Sequence, residues 1–233
     1  ILIHTASGQN DIHIIFNGNN TKLTRFELEL SKNLVNRYLL EKKRKQKIVY
    51  HGVKEFSNSF DMLNKSDSEY TLLINQVSIT TEREEKFDFS RPYMRNYFSL
   101  LSRKDFFYKG KQQKLIVGCI KGSIYDQLSS DLSRSYENIE IAYYSSNSVC
   151  AKDVQTRKID LYFADYYEAW VHNLKLFRII NQDIVDNIAI VFKKGSQFRN
   201  DIERILISYQ ESDDYKQLIK RHFGDYATDF FAL

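Results

Sequence analysis

Short β-branched and aromatic runs alternate with stretches of helical periodicity along most of this chain, and that alternation constrains its fold more than any other feature. Strands separated by amphipathic helices build βαβ units, so the chain reads as α/β with mainly parallel sheets flanked by helices. Strands are predicted at residues 1–6, 47–52, 70–75, 97–103, 115–120, 139–144, 159–164 and 188–192. Residues 26–43 carry Phe26, Leu30, Leu34 and Tyr38 at helical spacing, which predicts one packed face with the Glu/Lys face left to water. Further helices fit residues 58–64, 123–132, 148–157, 198–210 and 214–223, with Gly224 as a stop for the last. A chain of 233 residues is one large domain or two modest lobes. Its single proline, Pro92, pushes Arg91 into extended backbone and marks a predicted crossing between lobes. The strand at 187–192 with its two following helices reads as the return.

Composition narrows the function by exclusion. Thirty-four Lys+Arg against 30 Asp+Glu leave only +4, and no basic stripe extends beyond residues 42–47, so nucleic acid is not an expected partner. The longest apolar runs, at 72–74 and 188–192, fall short of the roughly 18–20 residues of a membrane helix. The chain opens on Ile1 with no basic-then-apolar leader, and the expectation is an export segment already removed. Cys119 and Cys150 fit either one disulfide in an oxidising compartment or two buried thiols. There is no HExxH, CxxC, GxGxxG, P-loop or GxSxG, so no metal, cofactor or catalytic nucleophile is expected. His4, His13, His51, His172 and His222 are scattered without ligand spacing and read as ordinary core or surface residues.

Three places can hold charge on a ligand. In Ser78-Ile79-Thr80-Thr81-Glu82-Arg83-Glu84, Thr81 and Glu84 form a capping-box pattern that starts a short helix after a strand, with Arg83 in its first turn. A cation there opposes the helix dipole unless it holds an anion, and its planar fork suits a carboxylate; a surface ion pair with Glu82, Glu84 or Glu85 is the plainer alternative. Gly122-Ser123-Ile124-Tyr125-Asp126 follows a predicted strand as a glycine turn into a helix N-terminus, an anion site or simply a cap. Asp165 ends the run at 159–164, where open α/β sheets bind ligands, and otherwise caps a helix at 166–172. Two anion holders and one cation holder complement a zwitterion.

The stretch from Tyr70 to Tyr93, with S-I-T-T-E-R at 78–83 and D-F-S-R-P-Y at 88–93, resembles the hallmark of the extracellular solute-binding proteins of family 3, the polar amino acid type. Residues 23–30 resemble the family's helix entry, and Glu55-Phe56-Ser57, Lys121-Gly122-Ser123, the run from Lys158 to Asp165 and residues 188–196 add matches along the chain. The resemblance implies a two-lobed, type II periplasmic binding fold with two crossing segments. Lobe 1 would comprise residues 1–95 and 188–233, lobe 2 the inserted 96–187, with hinges near 93–97 and 183–187. It implies that Arg83 clasps a ligand carboxylate with help from the Ser78 hydroxyl, the Gln76 backbone and the Ser123 helix start, while Asp165 takes the ammonium. Phe56 falls where the family places an aromatic against the ligand side chain, and Phe16 near a first-lobe loop that contributes another.

The implied function is an extracytoplasmic, monomeric carrier that captures an amino acid or derivative between its lobes by hinge closure and delivers it to an ABC transporter permease. Departures bear on the ligand: the first loop reads Ser7 to His13 in place of a proline and aromatic pair, Gln76 stands where many members have glycine, and Ile124 replaces a small residue. The alternatives are a dehydratase of the cyclohexadienyl or arogenate type on the same scaffold, with Asp165 as its acid, and a detached sensing domain of a receptor.

Overall fold

The computed structural model describes residues 10–135, 138–180 and 185–231. In chain order the elements are β1 (Ile12–Asn17), α1 (Lys22–Glu41), β2 (Ile48–Val53), α2 (Ser57–Lys65), β3 (Thr71–Ser78), α3 (Thr81–Lys86), β4 (Phe87–Phe89), β5 (Met94–Asn96) and β6 (Phe98–Ser102). They continue as β7 (Leu115–Ile120), α4 (Ile124–Ser135), β8 (Ile139–Tyr144), α5 (Asn147–Gln155), β9 (Leu161–Asp165), α6 (Tyr167–His172), β10 (Lys175–Ile179), β11 (Asp186–Lys193), α7 (Gln197–Gln210) and α8 (Asp213–Phe223). The α/β class follows, and both sheets are mixed. The chain divides into two compact units, one of residues 1–54, 58–95 and 187–233, the other of 55–57 and 96–186.

In the first unit the strand order is β2-β1-β3-β11-β4, with β1 parallel to β2 and β3, and β11 antiparallel to β3 and β4. The predicted strand at 1–6 lies outside the described residues. Ile12–Asn17 takes the place between β2 and β3, so Ile12 and His13 of the expected first loop are strand residues. β1 passes into α1 through only Gly18 to Thr21, whose Thr21 hydroxyl caps the helix by accepting from the Thr24 N–H at 3.1 Å. Helix α1 buries Leu23, Phe26, Leu30, Leu34 and Tyr38 as its spacing requires, but it also buries Glu27, which corrects the reading of a uniformly wet Glu/Lys face.

The second unit holds the order β10-β6-β9-β7-β8, parallel across β9-β7-β8 and antiparallel where β6 and β10 join. Alternation along β7 sends Leu115, Val117 and Cys119 into one cluster with Phe98, Tyr125 and Phe163. Ile120 faces the opposite cluster, with Cys150, Val154 and Ile159. The two cysteines therefore pack on opposite faces of the sheet as free thiols, which decides between the disulfide and thiol readings. Burial pushes the Cys119 thiol up to about 12. Among the described residues no helix is long and apolar enough to cross a membrane.

Candidate functional site

In the first unit the candidate residues gather where β3 ends. Thr80, rather than Thr81, caps α3: its hydroxyl accepts from the Arg83 N–H at 3.3 Å. The one-residue shift leaves Arg83 in the first turns, where it is 8% exposed. Its Nη1 donates to the Ser78 carbonyl at 2.9 Å, and its guanidinium lies 5.3 Å from the centroid of the Phe60 ring. A guanidinium has five donors in a rigid plane, and here a carbonyl and an aromatic face orient the fork. Ser78 is 3% exposed beside it.

Gln76 has φ of +49°, a left-handed conformation that costs a non-glycine residue about 1–2 kcal/mol. It sits where the β3–β11 register shifts, Val77 facing Ala189 but Leu73 facing Val191, so β3 carries extra residues there. Its N–H donates to Glu27 Oε1 at 2.9 Å, its Nε2 donates to Glu27 Oε2, and its Oε1 accepts from Asn17 Nδ2 at 3.3 Å. The Tyr93 hydroxyl donates to the same Glu27 carboxylate. With its N–H committed, Gln76 has only its carbonyl to offer on the backbone. Phe16 lies in β1 rather than in a loop, with its ring edge-on to Tyr50 at 6.4 Å.

In the second unit Asp165 closes β9 and is 8% exposed. Its Oδ1 accepts from the Tyr125 hydroxyl at 2.8 Å and from Asn96 Nδ2, and its Oδ2 accepts from the Tyr167 hydroxyl at 2.8 Å. Asn96 Nδ2 also donates to Asp186 Oδ2 at 3.1 Å, while Asn96 Oδ1 accepts from the Tyr166 N–H at 2.8 Å. Burial, then the neighbouring charges of Asp186 and Glu168, hold the Asp165 carboxyl well above the usual carboxylate range, against the two tyrosine hydrogen bonds. Three neutral donors around two acidic groups orient the Asp165 carboxyl. Asp165 does not cap α6; Tyr166 holds that position, and its side chain makes no capping hydrogen bond to the helix.

The Ser123 turn belongs to the same unit. Gly122 takes φ of +76°, Ser123 Oγ donates to the Ile120 carbonyl at 2.7 Å and accepts from the Tyr125 N–H at 3.1 Å, and Asp126 Oδ2 accepts from the Gly122 N–H at 2.9 Å. This capping sets the path that delivers Tyr125 to Asp165. Phe56 packs on the sheet face that holds Ile120 and Cys150.

Sequence reasoning missed Asn96, Tyr125, Tyr167 and Asp186 around Asp165. It also missed Glu27, although spacing of four from Leu23 and seven to Leu34 put that residue on the packed face. The histidines are not all solitary: parallel pairing of β1 and β2 brings His13 Nδ1 to 2.8 Å from His51 Nε2.

The chain is 28% identical over 147 residues to the probable ABC transporter extracellular-binding protein YckB of Bacillus subtilis, covering 63% of this chain and 48% of that protein. It is 28% identical over 161 residues to the L-cystine-binding protein TcyJ of Escherichia coli, covering 64% and 53%. The matched stretch thus spans about half the length of these relatives. In fold it is similar to the ancestral amino acid-binding protein AncCDT-1, a precursor of cyclohexadienyl dehydratase, with a TM-score of 0.77 at 16% identity over 92% of this chain and 96% of that one. Residues 9–225 match the family profile itself, and the chain belongs to the bacterial extracellular solute-binding proteins, family 3.

Proposed function

We propose that this chain is an extracytoplasmic binding protein that captures a small zwitterion, an amino acid or close derivative, and passes it to the permease of an ABC transporter. The observation that carries the reading is the division of chemistry between the units: an oriented, buried guanidinium in one and an oriented, buried carboxylate in the other. Arg83 and the Ser78 hydroxyl hold the ligand carboxylate, and Asp165 holds its ammonium within the frame of Tyr125, Tyr167 and Asn96. The Ser123 turn, Phe56 and Phe16 shape the remaining surface. A ligand gripped by both units favours whichever conformation lets both act, which is how occupancy becomes shape for a transporter to read. The protein acts as a monomer and as a carrier rather than an enzyme; turnover of prephenate or arogenate would overturn that part.

The test is calorimetric titration with a panel of L-amino acids that includes L-cystine, comparing the parent with Arg83→Lys. Lysine keeps the charge but loses the planar fork, and a loss of about 10–100-fold in affinity is expected. Because Arg83 also holds the Ser78 carbonyl and faces Phe60, deleting it to alanine would disturb the fold as well, so the lysine variant is the cleaner one. Binding unchanged in Arg83→Lys would reject the carboxylate assignment.

A further inference from the structure

We propose that Glu27 is a positioning residue for the ligand-facing end of β3, acting by holding Gln76 in a backbone conformation that a glycine would adopt unaided. The inference rests on the functional reading above for its consequence, but not for its geometry. Gln76 has φ of +49° within the irregular stretch of β3, a place that favours glycine because no Cβ crowds the preceding carbonyl. A glutamine persists there only if its surroundings over-determine it. Glu27, fully buried on α1, does this at two points, accepting from the Gln76 backbone N–H at 2.9 Å and from the Gln76 side-chain amide. Asn17 Nδ2 completes the amide by donating to Gln76 Oε1 at 3.3 Å.

Two consequences follow for ligand selection. The Gln76 side chain is folded into the α1 side of the sheet, so its bulk is withdrawn from the surface that Ser78 and Arg83 serve two and seven residues later. The same carboxylate accepts from the Tyr93 hydroxyl, so the geometry of β3 is referenced to the segment just before the chain leaves this unit after Arg95. Glu27 thus compensates for a side chain at a glycine-like position and keeps the Ser78 carbonyl aligned with the Arg83 guanidinium.

Four proteins test this: the parent, Glu27→Leu, Gln76→Gly and the double variant. The first readout uses no ligand. Hydrogen exchange of the amides at residues 74–79 should accelerate in Glu27→Leu, stay near the parent in Gln76→Gly, and return toward the parent in the double variant, because glycine needs no holding. The second readout is affinity for L-cystine, or for whichever L-amino acid the parent binds in the panel. About tenfold loss is expected for Glu27→Leu, with the double variant within about threefold of the parent. A Glu27 that merely fills the core would give loss in the single variant with no recovery in the double, by either readout, and that result overturns the proposal. A parent that binds no amino acid overturns the functional reading, while exchange still decides whether Glu27 holds Gln76.

Discussion

In the function proposed above, Asp165 serves a ligand at the expense of the empty protein. Its native carboxyl titrates above the ordinary 3.8, so the folded chain binds that proton more tightly than the unfolded chain. The associated stability is complete below about pH 3.8 and is lost as pH rises through the raised native value. Above that native value the empty protein carries a buried charge at a cost, which an arriving ammonium relieves. Asp165→Asn keeps the shape, and a tyrosine hydroxyl can donate or accept, so Tyr125 and Tyr167 retain a partner. Above the native titration the variant's ligand-free melting temperature should equal or exceed the parent's, its decline as pH rises from about 4 should flatten, and amino acid binding should disappear. Thermal scans across that range, paired with titration calorimetry, check all three. A variant that melts well below the parent while still binding would show that Asp165 is structural.

At the scale of elements, β7 depends on an absent side chain. A Cβ on Gly118 would lie 2.4 Å from Cys150 Sγ and 2.7 Å from Ile159 Cδ1, so α5 and the approach to β9 pack directly on the strand backbone. Gly118→Ala should destabilise the chain by about 1–3 kcal/mol, seen as a lower urea midpoint, and Cys150→Ala in the same chain should recover part of it. No recovery would mean that Ile159 or the backbone sets the limit. Elements such as β7 and β8 were legible to the residue, because each is a β-branched run bounded by turn-forming residues. The short strands β4, β5 and β10 were not, since a partner already in the sheet defines them and they leave little local pattern. Residues 12–17 are apolar and β-branched, and it is pairing with β2 and β3, outside any local pattern, that makes them a strand. Asp165 could be read from its place after a strand, whereas its frame comes from Asn96, Tyr125 and Tyr167 at separations of 69, 40 and 2 residues, which no local pattern links.

At the scale of the whole molecule, each unit has its own sheet and buried core, and the backbone passes from one to the other at residues 54–55, 57–58, 95–96 and 186–187. Cooperative unfolding of the whole chain needs free energy that links the two cores. In the function proposed above, a ligand takes its carboxylate contact from one unit and its ammonium contact from the other, so losing either unit loses the ligand. Scanning calorimetry of the empty chain sets the reference for that effect. Addition of a bound amino acid should raise and merge the transitions, by about 2.7 kcal/mol at 100 times Kd. At the same ligand concentration Arg83→Lys should shrink the shift to about 0.4–1.4 kcal/mol, as its 10–100-fold loss requires, and Asp165→Asn should abolish it, although the two residues sit in different units. If the ligand instead raises one transition and leaves the other in place, a single unit holds it, and the shared grip on a zwitterion is wrong even where binding itself is real.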